Sequence, residues 1–445
     1  MYKIFFLSFP QSAPARRSQL SLLYNAQFTI DPEPEYDFLG PSPSITTPAE
    51  YVPFTLVNES VREYVNKIVD VQYLLGDNST LPTMVWNSVI NNFQSQEAIN
   101  LLALCYHTRQ QDQSVSLLQN ASVQQRITNL KTVLTTAHSA DDAMAALHIV
   151  SLYLFEGGRG KWADFLSFAC TYTIYVLRNP QYYSIPEALE GASPKDAFVV
   201  KTTIWFDVLA SITTRKPPFL LEYIRALFSP NQSWVGGPKS YSMLSPMGCE
   251  NVVVWALAET SYLSWWKARH TSRGDLSIRQ LVSLVQEIEP YLSPGPRPVR
   301  PQLTPEDWSR YLASEIFRTS TKLFLKTVES GDFPNVLEIK ECVVETFAAI
   351  KEFPAGIPNK LSAVVRSTVF GIYICGSLTD NEDVLRLLEI HLLQHSGCGI
   401  EVNGIGNTST ISWLLRRLWD ERLAQPPGQP VRWRRLLAKE EILLV

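Results

Sequence analysis

Apolar positions recur three and four residues apart over most of the chain, which is the spacing of one face of an α-helix. After Ser139, for example, they fall at Ala143, Leu147, Val150 and Leu154. Alternation of apolar and polar residues, which is typical of a half-buried strand, does not persist, and no tandem repeat of about 20–50 residues is visible. The pattern predicts an all-α fold, an irregular multi-helix bundle rather than a solenoid.

Capping residues and prolines predict where several of these helices begin and end. Ser139 and Asp142 have the spacing of a capping box, and Thr304 marks a similar start further along the chain. Another helix is predicted to begin at Pro194, because a proline loses no hydrogen bond at the first helical position, and to stop at Pro217. That helix is apolar on nearly every side, so we expect it to be buried.

Proline content divides the chain into two predicted regions. Residues 1–55 contain eight prolines, which favour extended backbone, so we expect an irregular N-terminal segment or linker. Residues 56–445 are predicted to form a single large helical domain. Pro10 cuts off the short apolar run at the N-terminus, and no apolar stretch reaches about 20 residues, so neither a signal peptide nor a membrane span is expected.

Composition narrows the class of protein further. The chain has 39 basic and 43 acidic residues, a net charge of −4, so it is not expected to bind nucleic acid along its whole length. Hydrophobic residues make up 45% of it and charged residues 18%, which argues against disorder. Its six cysteines are far apart in sequence, with no Cys-x-x-Cys pair, and are expected to be buried, reduced thiols.

Two motifs suggest catalysis, but each departs from its pattern. Residues 157–161 read Gly-Gly-Arg-Gly-Lys, without the first Gly and the last Ser or Thr of a phosphate-binding loop, so we interpret them as a helix-end loop. Asp141 and Asp142 resemble the metal-binding aspartates of all-α prenyl-diphosphate enzymes, but a third acid is missing. Capping a helix is the favoured role, and a metal-dependent prenyl-diphosphate enzyme remains the alternative function.

Three other groups of polar residues resemble functional sites, but each also has a structural interpretation. His391, His395 and Cys398 share a helical face that could hold zinc, yet histidines in a last turn commonly bind carbonyls, so no metal or cofactor is expected. Asp207 lies in the buried helix and must be hydrogen-bonded, with Thr203 and Ser211 as the nearest partners. The arginines and tryptophans after residue 412 are interpreted as packed tryptophans under a solvated basic face, with cation–π contacts.

Four segments together resemble the fungal-specific transcription factor domain, the helical regulatory region that follows a binuclear zinc-cluster DNA-binding domain. Residues 205–211 read Trp-Phe-Asp-Val-Leu-Ala-Ser and lead to Thr-Arg-Lys-Pro. Residues 247–250 read Met-Gly-Cys-Glu before a predicted helix, and residues 370–378 read Phe-Gly-Ile-Tyr-Ile-Cys-Gly-Ser-Leu. The region from Trp413, with Trp433 and Arg434, is similar to the family's C-terminal end.

The resemblance implies transcriptional regulation without catalysis, in the nucleus. It implies a small-molecule effector and contacts with a second copy or with transcriptional co-regulators. The candidate residues of an effector cavity, or of a structural signature, are Trp205, Asp207, Met247, Gly248 and Cys249. A helical scaffold without any small ligand is a further alternative.

One feature of the family is missing from the sequence. Its members carry six closely spaced cysteines that hold two zinc ions, and here no cysteine precedes Cys105. We therefore expect this chain to reach DNA only through a zinc-cluster domain that it lacks itself, as a truncated gene product, a fragment or a member that has lost its DNA-binding domain.

Overall fold

The part of the protein that the computed structural model describes comprises residues 54–73, 76, 80–112, 115–136, 138–230, 241–295, 297–298, 303–352, 367–396, 406–426 and 428–444. Helices and their connections account for all of these residues, without a β-strand among them. The predicted all-α class, an irregular multi-helix bundle, is therefore confirmed. Most of the predicted segment 1–55 lies outside the described residues, and the first helix begins at Phe54.

The first half of the chain forms nine α-helices among the described residues. In chain order they are α1 (Phe54–Glu63), α2 (Val69–Gln72), α3 (Leu81–Asn91), α4 (Phe93–Gln111), α5 (Ala121–Leu134), α6 (Ala140–Phe155), α7 (Trp162–Leu177), α8 (Ile185–Glu190) and α9 (Pro194–Thr214). A π-helical turn joins α1 to α2. Helix α4 packs on α6, α6 on α7 and α7 on the long helix α9.

The helices of the second half continue this packing outward from α9. Helix α9 contacts α12, α12 packs on α14, and α14 packs on α15 and α16. They are α10 (Leu221–Phe228), α11 (Leu244–Met247), α12 (Asn251–Arg273), α13 (Ile278–Ile288), α14 (Pro305–Ser330), α15 (Leu337–Lys351), α16 (Val369–Leu378), α17 (Glu382–Ser396), α18 (Thr408–Leu423) and α19 (Trp433–Glu440). One hydrophobic core runs through both halves, as expected of a single domain, and the predicted bounds 56–445 stay a prediction.

Side-chain caps set the helix starts that the sequence predicts. The Ser139 hydroxyl accepts the N–H of Asp142, and the Asp142 carboxylate accepts the N–H of Ser139, which completes a capping box at the start of α6. Ser193 caps α9 and Thr304 caps α14 through the N–H three residues later, each at 3.1 Å. These local bonds satisfy N–H groups that a helix leaves without an internal partner.

Helix α9 is the buried centre of the bundle, as predicted. It ends at Thr214, because Arg215 adopts a left-handed backbone conformation (φ 58°) before Pro217. Among the described helices it is the one long and apolar enough to cross a membrane by length and composition, but 89% of its most apolar stretch is buried in the protein. Such burial is typical of the core helix of a folded domain.

The glycine loop after α6 receives a distant part of the chain. Gly157 and Gly158 both have positive φ angles (97° and 80°), which end the helix. The carbonyl of Gly158 accepts the N–H of Leu443 at 2.9 Å, and a Cβ added at Gly158 would lie 2.8 Å from the Leu443 carbonyl oxygen. The interpretation as a helix-end loop is confirmed, because the backbone here binds the chain itself.

Candidate effector groove

An open groove with a volume of about 820 Å³ lies where α3, the start of α9 and the short helix α11 meet. Helix α9 contributes its first two turns, and α3 faces them across the groove. The lining residues are Thr80, Leu81, Thr83, Met84, Asn87, Leu189, Ala192, Ser193, Pro194, Lys195, Ala197, Phe198, Lys201, Ser245 and Pro246. The volume is that of a small-molecule site, which typically spans about 300–1,000 Å³.

The groove is partly apolar and carries positive but not negative charge. Met84, Phe198 and Pro246 supply apolar surface, and two lysines supply the charged groups. The ammonium of Lys195 lies 2.6 Å from a carboxylate oxygen of Asp141, outside the lining. No aspartate or glutamate belongs to the lining among the described residues.

The second lysine, Lys201, is held by backbone carbonyls rather than by a carboxylate. Its Nζ donates to the carbonyl oxygens of Ser242, at 3.3 Å, and Ser245, at 3.0 Å, which connects α9 to α11 and to the residues just before α11. Burial lowers the pKa of this ammonium below its ordinary value, because the charged form loses hydration.

A buried polar network supports the floor of the groove. The ring of Tyr73 packs edge-to-face on Phe198, with centroids 4.9 Å apart. Gln72 donates to the Tyr73 hydroxyl at 3.0 Å and to Ser151 at 2.7 Å, and its amide nitrogen lies 3.3 Å from Nδ1 of His148. Burial lowers the pKa of His148 to about 3, so this imidazole is neutral at ordinary pH. Through Tyr73, the network holds the ring of Phe198 in place.

Asp207 stabilises the start of another helix. Its carboxylate accepts the backbone N–H groups of Phe219, at 3.0 Å, and Leu220, at 2.8 Å, directly before α10. The partners expected from sequence were wrong: Thr203 donates to the Val199 carbonyl, and Ser211 bonds to Val208 and Ser261. A carboxylate at a helix N-terminus complements the helix dipole, so Asp207 couples α9 to α10.

The titration of Asp207 should appear in the stability of the protein. Burial raises its pKa from 3.8 to about 6, although the two N–H groups oppose this shift. Because the folded state then holds the proton more tightly than the unfolded state, the contribution of this group to stability falls as pH rises from about 4 to 6. Chemical denaturation at several pH values should show wild type losing on the order of 2–3 kcal/mol relative to Asp207→Asn across this interval.

Asp207→Ala is the matched control for that titration. It removes both acceptors and should destabilise the protein by about 1–3 kcal/mol even at low pH, because the partly buried N–H of Phe219 and the buried N–H of Leu220 lose their partner. A stability difference between wild type and Asp207→Asn that stays constant with pH would contradict the assignment.

The other predicted site residues are packed into the core close to the groove. Trp205 is 2% exposed and stacks edge-to-face on Phe317 at 4.7 Å. Met247 is buried at the end of α11. Gly248 follows it with a φ of 65°, a backbone conformation in which a side chain would be strained. Cys249 is fully buried, and burial raises the pKa of its thiol well above the usual value, so the sulfur packs as an apolar group.

None of the five predicted residues belongs to the groove lining, so their part in binding an effector stays a prediction. Sequence reasoning found the right helix and the right loop, since Phe198 and Lys201 share α9 with Trp205, and Pro246 precedes Met247. It missed Lys201. A lysine among the apolar residues that follow Asp196 in this helix was the available signal.

Asp141 and Asp142, which were considered as metal ligands and interpreted as capping residues, serve structural roles. Asp142 caps α6 and accepts a hydrogen bond from Asn92 at 3.0 Å, while Asp141 pairs with Lys195. Cys398 and the side chain of His395 lie outside the described residues. The described part of the chain contains no group of three or more His, Cys, Asp or Glu side chains that could hold a metal ion.

The basic C-terminal region forms the predicted cation–π contacts, but the prediction that its tryptophans pack inward is wrong for Trp413, which is 41% exposed, whereas Trp433 is buried. Arg417 lies over Trp413 at 5.2 Å, Arg422 over Trp419 at 4.8 Å and Arg434 over Trp433 at 5.3 Å. Arg422 also donates to the carbonyl oxygens of Ser377 and Thr379, so it stabilises the end of α16. These arginines form cation–π contacts with tryptophans of the same region.

Comparison with known proteins gives the family. The sequence model described as the fungal specific transcription factor domain matches residues 73–445, which is most of the chain. The chain belongs to this family. The segments that carried the resemblance are central to the fold, because they lie in α9, at the start of α12, in α16 and in the C-terminal helices. No solved structure matches the chain.

Two curated relatives of this fungal transcription factor domain are similar over part of its length. The trichothecene biosynthesis transcription regulator TRI10 of Trichoderma arundinaceum is 27% identical over 198 residues, covering 43% of this chain and 42% of the relative. The ustiloxin B cluster transcription factor ustR of Aspergillus flavus is 28% identical over 143 residues, covering 30% of this chain and 23% of the relative. The matched region thus spans less than half of each relative.

Proposed function

We propose that this chain is the regulatory region of a transcription regulator that controls biosynthetic genes. The observation that carries the proposal is the family match over residues 73–445. The names of the two curated relatives support the finer statement, since one regulates trichothecene biosynthesis and the other belongs to the ustiloxin B cluster. A role without catalysis agrees with Asp141 and Asp142, whose carboxylates are engaged in an ion pair and a helix cap.

The groove offers a route from effector binding to a change in packing. Phe198 and Lys201 line it from the first turns of α9, and Asp207 holds the start of α10 two turns further along the same helix. A ligand that prefers one position of α9 would therefore bias the contacts of α9 with α10. Such a ligand shifts the population of two packings by its difference in affinity for them.

The proposed setting follows from the family. The chain acts in the nucleus, with a second copy of itself or with transcriptional co-regulators as partners. Its cysteines lie far apart, from Cys105 to Cys398, so we assign DNA recognition to a zinc-cluster region outside these 445 residues. The helical region would then receive the signal rather than read the DNA sequence.

A tethering experiment tests the proposal directly. The full chain is fused to a bacterial DNA-binding domain in a fungal host, with the matching operator upstream of a reporter gene. The fusion should raise or lower reporter transcript relative to the DNA-binding domain alone. Chromatin immunoprecipitation shows whether both proteins occupy the operator equally. Full occupancy by a folded fusion without any change in transcript would reject the proposal and favour the scaffold alternative.

A further inference from the structure

Lys201 has a charge that the described protein does not neutralise. Its ammonium is half-buried, and its two hydrogen bonds go to neutral carbonyl oxygens, so none of the described carboxylates forms an ion pair with it. Burial lowers the pKa of this ammonium. Partial burial removes some of the water around a charge, so a partner in the groove would stabilise it, and an ammonium has three protons to donate. One donor of Lys201 is thus left for another acceptor.

The surroundings of Lys201 limit what that acceptor can be. The groove has no acidic residue in its described lining, and Lys195, the other cation, is already paired with Asp141. The same lining offers apolar surface, from Met84, Phe198 and Pro246. A molecule that fits these features has an apolar body and one anionic oxygen group at its end.

We propose that the groove binds a small apolar molecule with a terminal carboxylate, which accepts a hydrogen bond from Lys201. The proposal rests on the proposed function in that this molecule would be the effector. A phosphate ester presents the same anionic oxygen chemistry. The test therefore includes both head groups.

A series of ligands with one alkyl chain and different head groups tests this proposal. Octanoate, octyl phosphate, octan-1-ol and octylammonium are titrated into the full chain by calorimetry, with melting temperature as a second readout. Octanoate should raise the melting temperature and bind about tenfold or more tightly than octan-1-ol, because a hydrogen bond to a charged group adds to the same apolar contact. Octylammonium should bind most weakly, because Lys201 repels it. Tighter binding of octyl phosphate would assign the phosphate head group instead of the carboxylate.

Two substitutions separate the lysine from general apolar binding. Lys201→Met should weaken octanoate to the level of octan-1-ol, while Lys216→Met, at an exposed lysine away from the groove, should leave both affinities unchanged. Thr83→Glu places an acid on an exposed lining position, so it should weaken octanoate and strengthen octylammonium. Thr83→Glu also keeps the test valid if Lys201→Met does not fold, because Thr83 has little role in the core.

The proposal fails if octanoate and octan-1-ol bind equally, if neither binds, or if octanoate affinity is unchanged in both groove variants. These outcomes do not depend on the reporter assay. An inactive reporter with head-group-dependent binding would reject the transcriptional role but keep the groove. An active reporter without head-group-dependent binding would keep the transcriptional role and reject the proposed ligand of the groove.

Discussion

Replacing Glu259 by glutamine should destabilise the protein by about 3–5 kcal/mol, because a largely buried guanidinium loses the carboxylate that it binds through two hydrogen bonds. Glu259 on α12 is 1% exposed and forms two hydrogen bonds with Arg225 on α10, at 2.7 and 2.8 Å. The guanidinium also lies over the ring of Tyr262, 5.0 Å from its centroid. Urea denaturation of purified wild type and variant gives the difference in the free energy of unfolding.

An exposed pair of the same kind is the matched control. Arg297 and Glu352 form a similar two-point contact, but their side chains are 58% and 40% exposed. Glu352→Gln should therefore change stability by only about 0.2–1 kcal/mol. The double variant Arg225→Met with Glu259→Leu should be more stable than Glu259→Gln alone, since no buried charge remains unpaired. Equal losses at Glu259 and Glu352 would show that burial of the pair does not matter.

Trp433→Ala should cost about 3–5 kcal/mol, because it opens a large cavity where the C-terminal helix meets the core. Trp433 is 0% exposed, and its ring packs edge-to-face on Phe324 at 5.6 Å and on Tyr373 at 6.1 Å. Its indole N–H donates to Asp332 at 3.1 Å. The truncation removes this packing and leaves a buried carboxylate without one of its donors, which thermal and urea denaturation will detect.

Trp413 provides the comparison for this substitution. It is the same residue type in the preceding helix, but it is 41% exposed and contacts arginine side chains. Trp413→Ala should lose less than about 1 kcal/mol, as surface substitutions usually do. Trp433→Phe keeps an aromatic ring and should fall between the two alanine variants. A loss at Trp413 as large as that at Trp433 would contradict the role assigned to the C-terminal helix.

The helical class and several helix starts could be predicted because they depend on neighbours in sequence. A capping box joins residues three apart, so Ser139 with Asp142 and Thr304 with Asp307 are visible without any fold. The sequence did not predict α4 and α7. Both helices have apolar residues on several faces, so the helical spacing of apolar and polar positions is not visible in them.

The partners of polar side chains could not be predicted, because they come from distant parts of the chain. Local spacing suggested Thr203 and Ser211 for Asp207, whereas the fold supplies backbone N–H groups 12 and 13 residues away. The partners of a helical side chain depend on which element packs against its face of the helix, and the spacing of residues in sequence does not identify that element.

By itself, the sequence determined that this protein is an all-α member of its family, since helical period, caps and family motifs are carried by residues close together along the chain. Only the tertiary structure decided where the groove lies, which of its lysines forms no ion pair with a described residue and which buried charges meet. Thr83 and Lys201 are 118 residues apart (201 − 83) and line the same groove. Contacts at that separation form only when the whole core packs, because the apolar stripes of every helix must be buried at once.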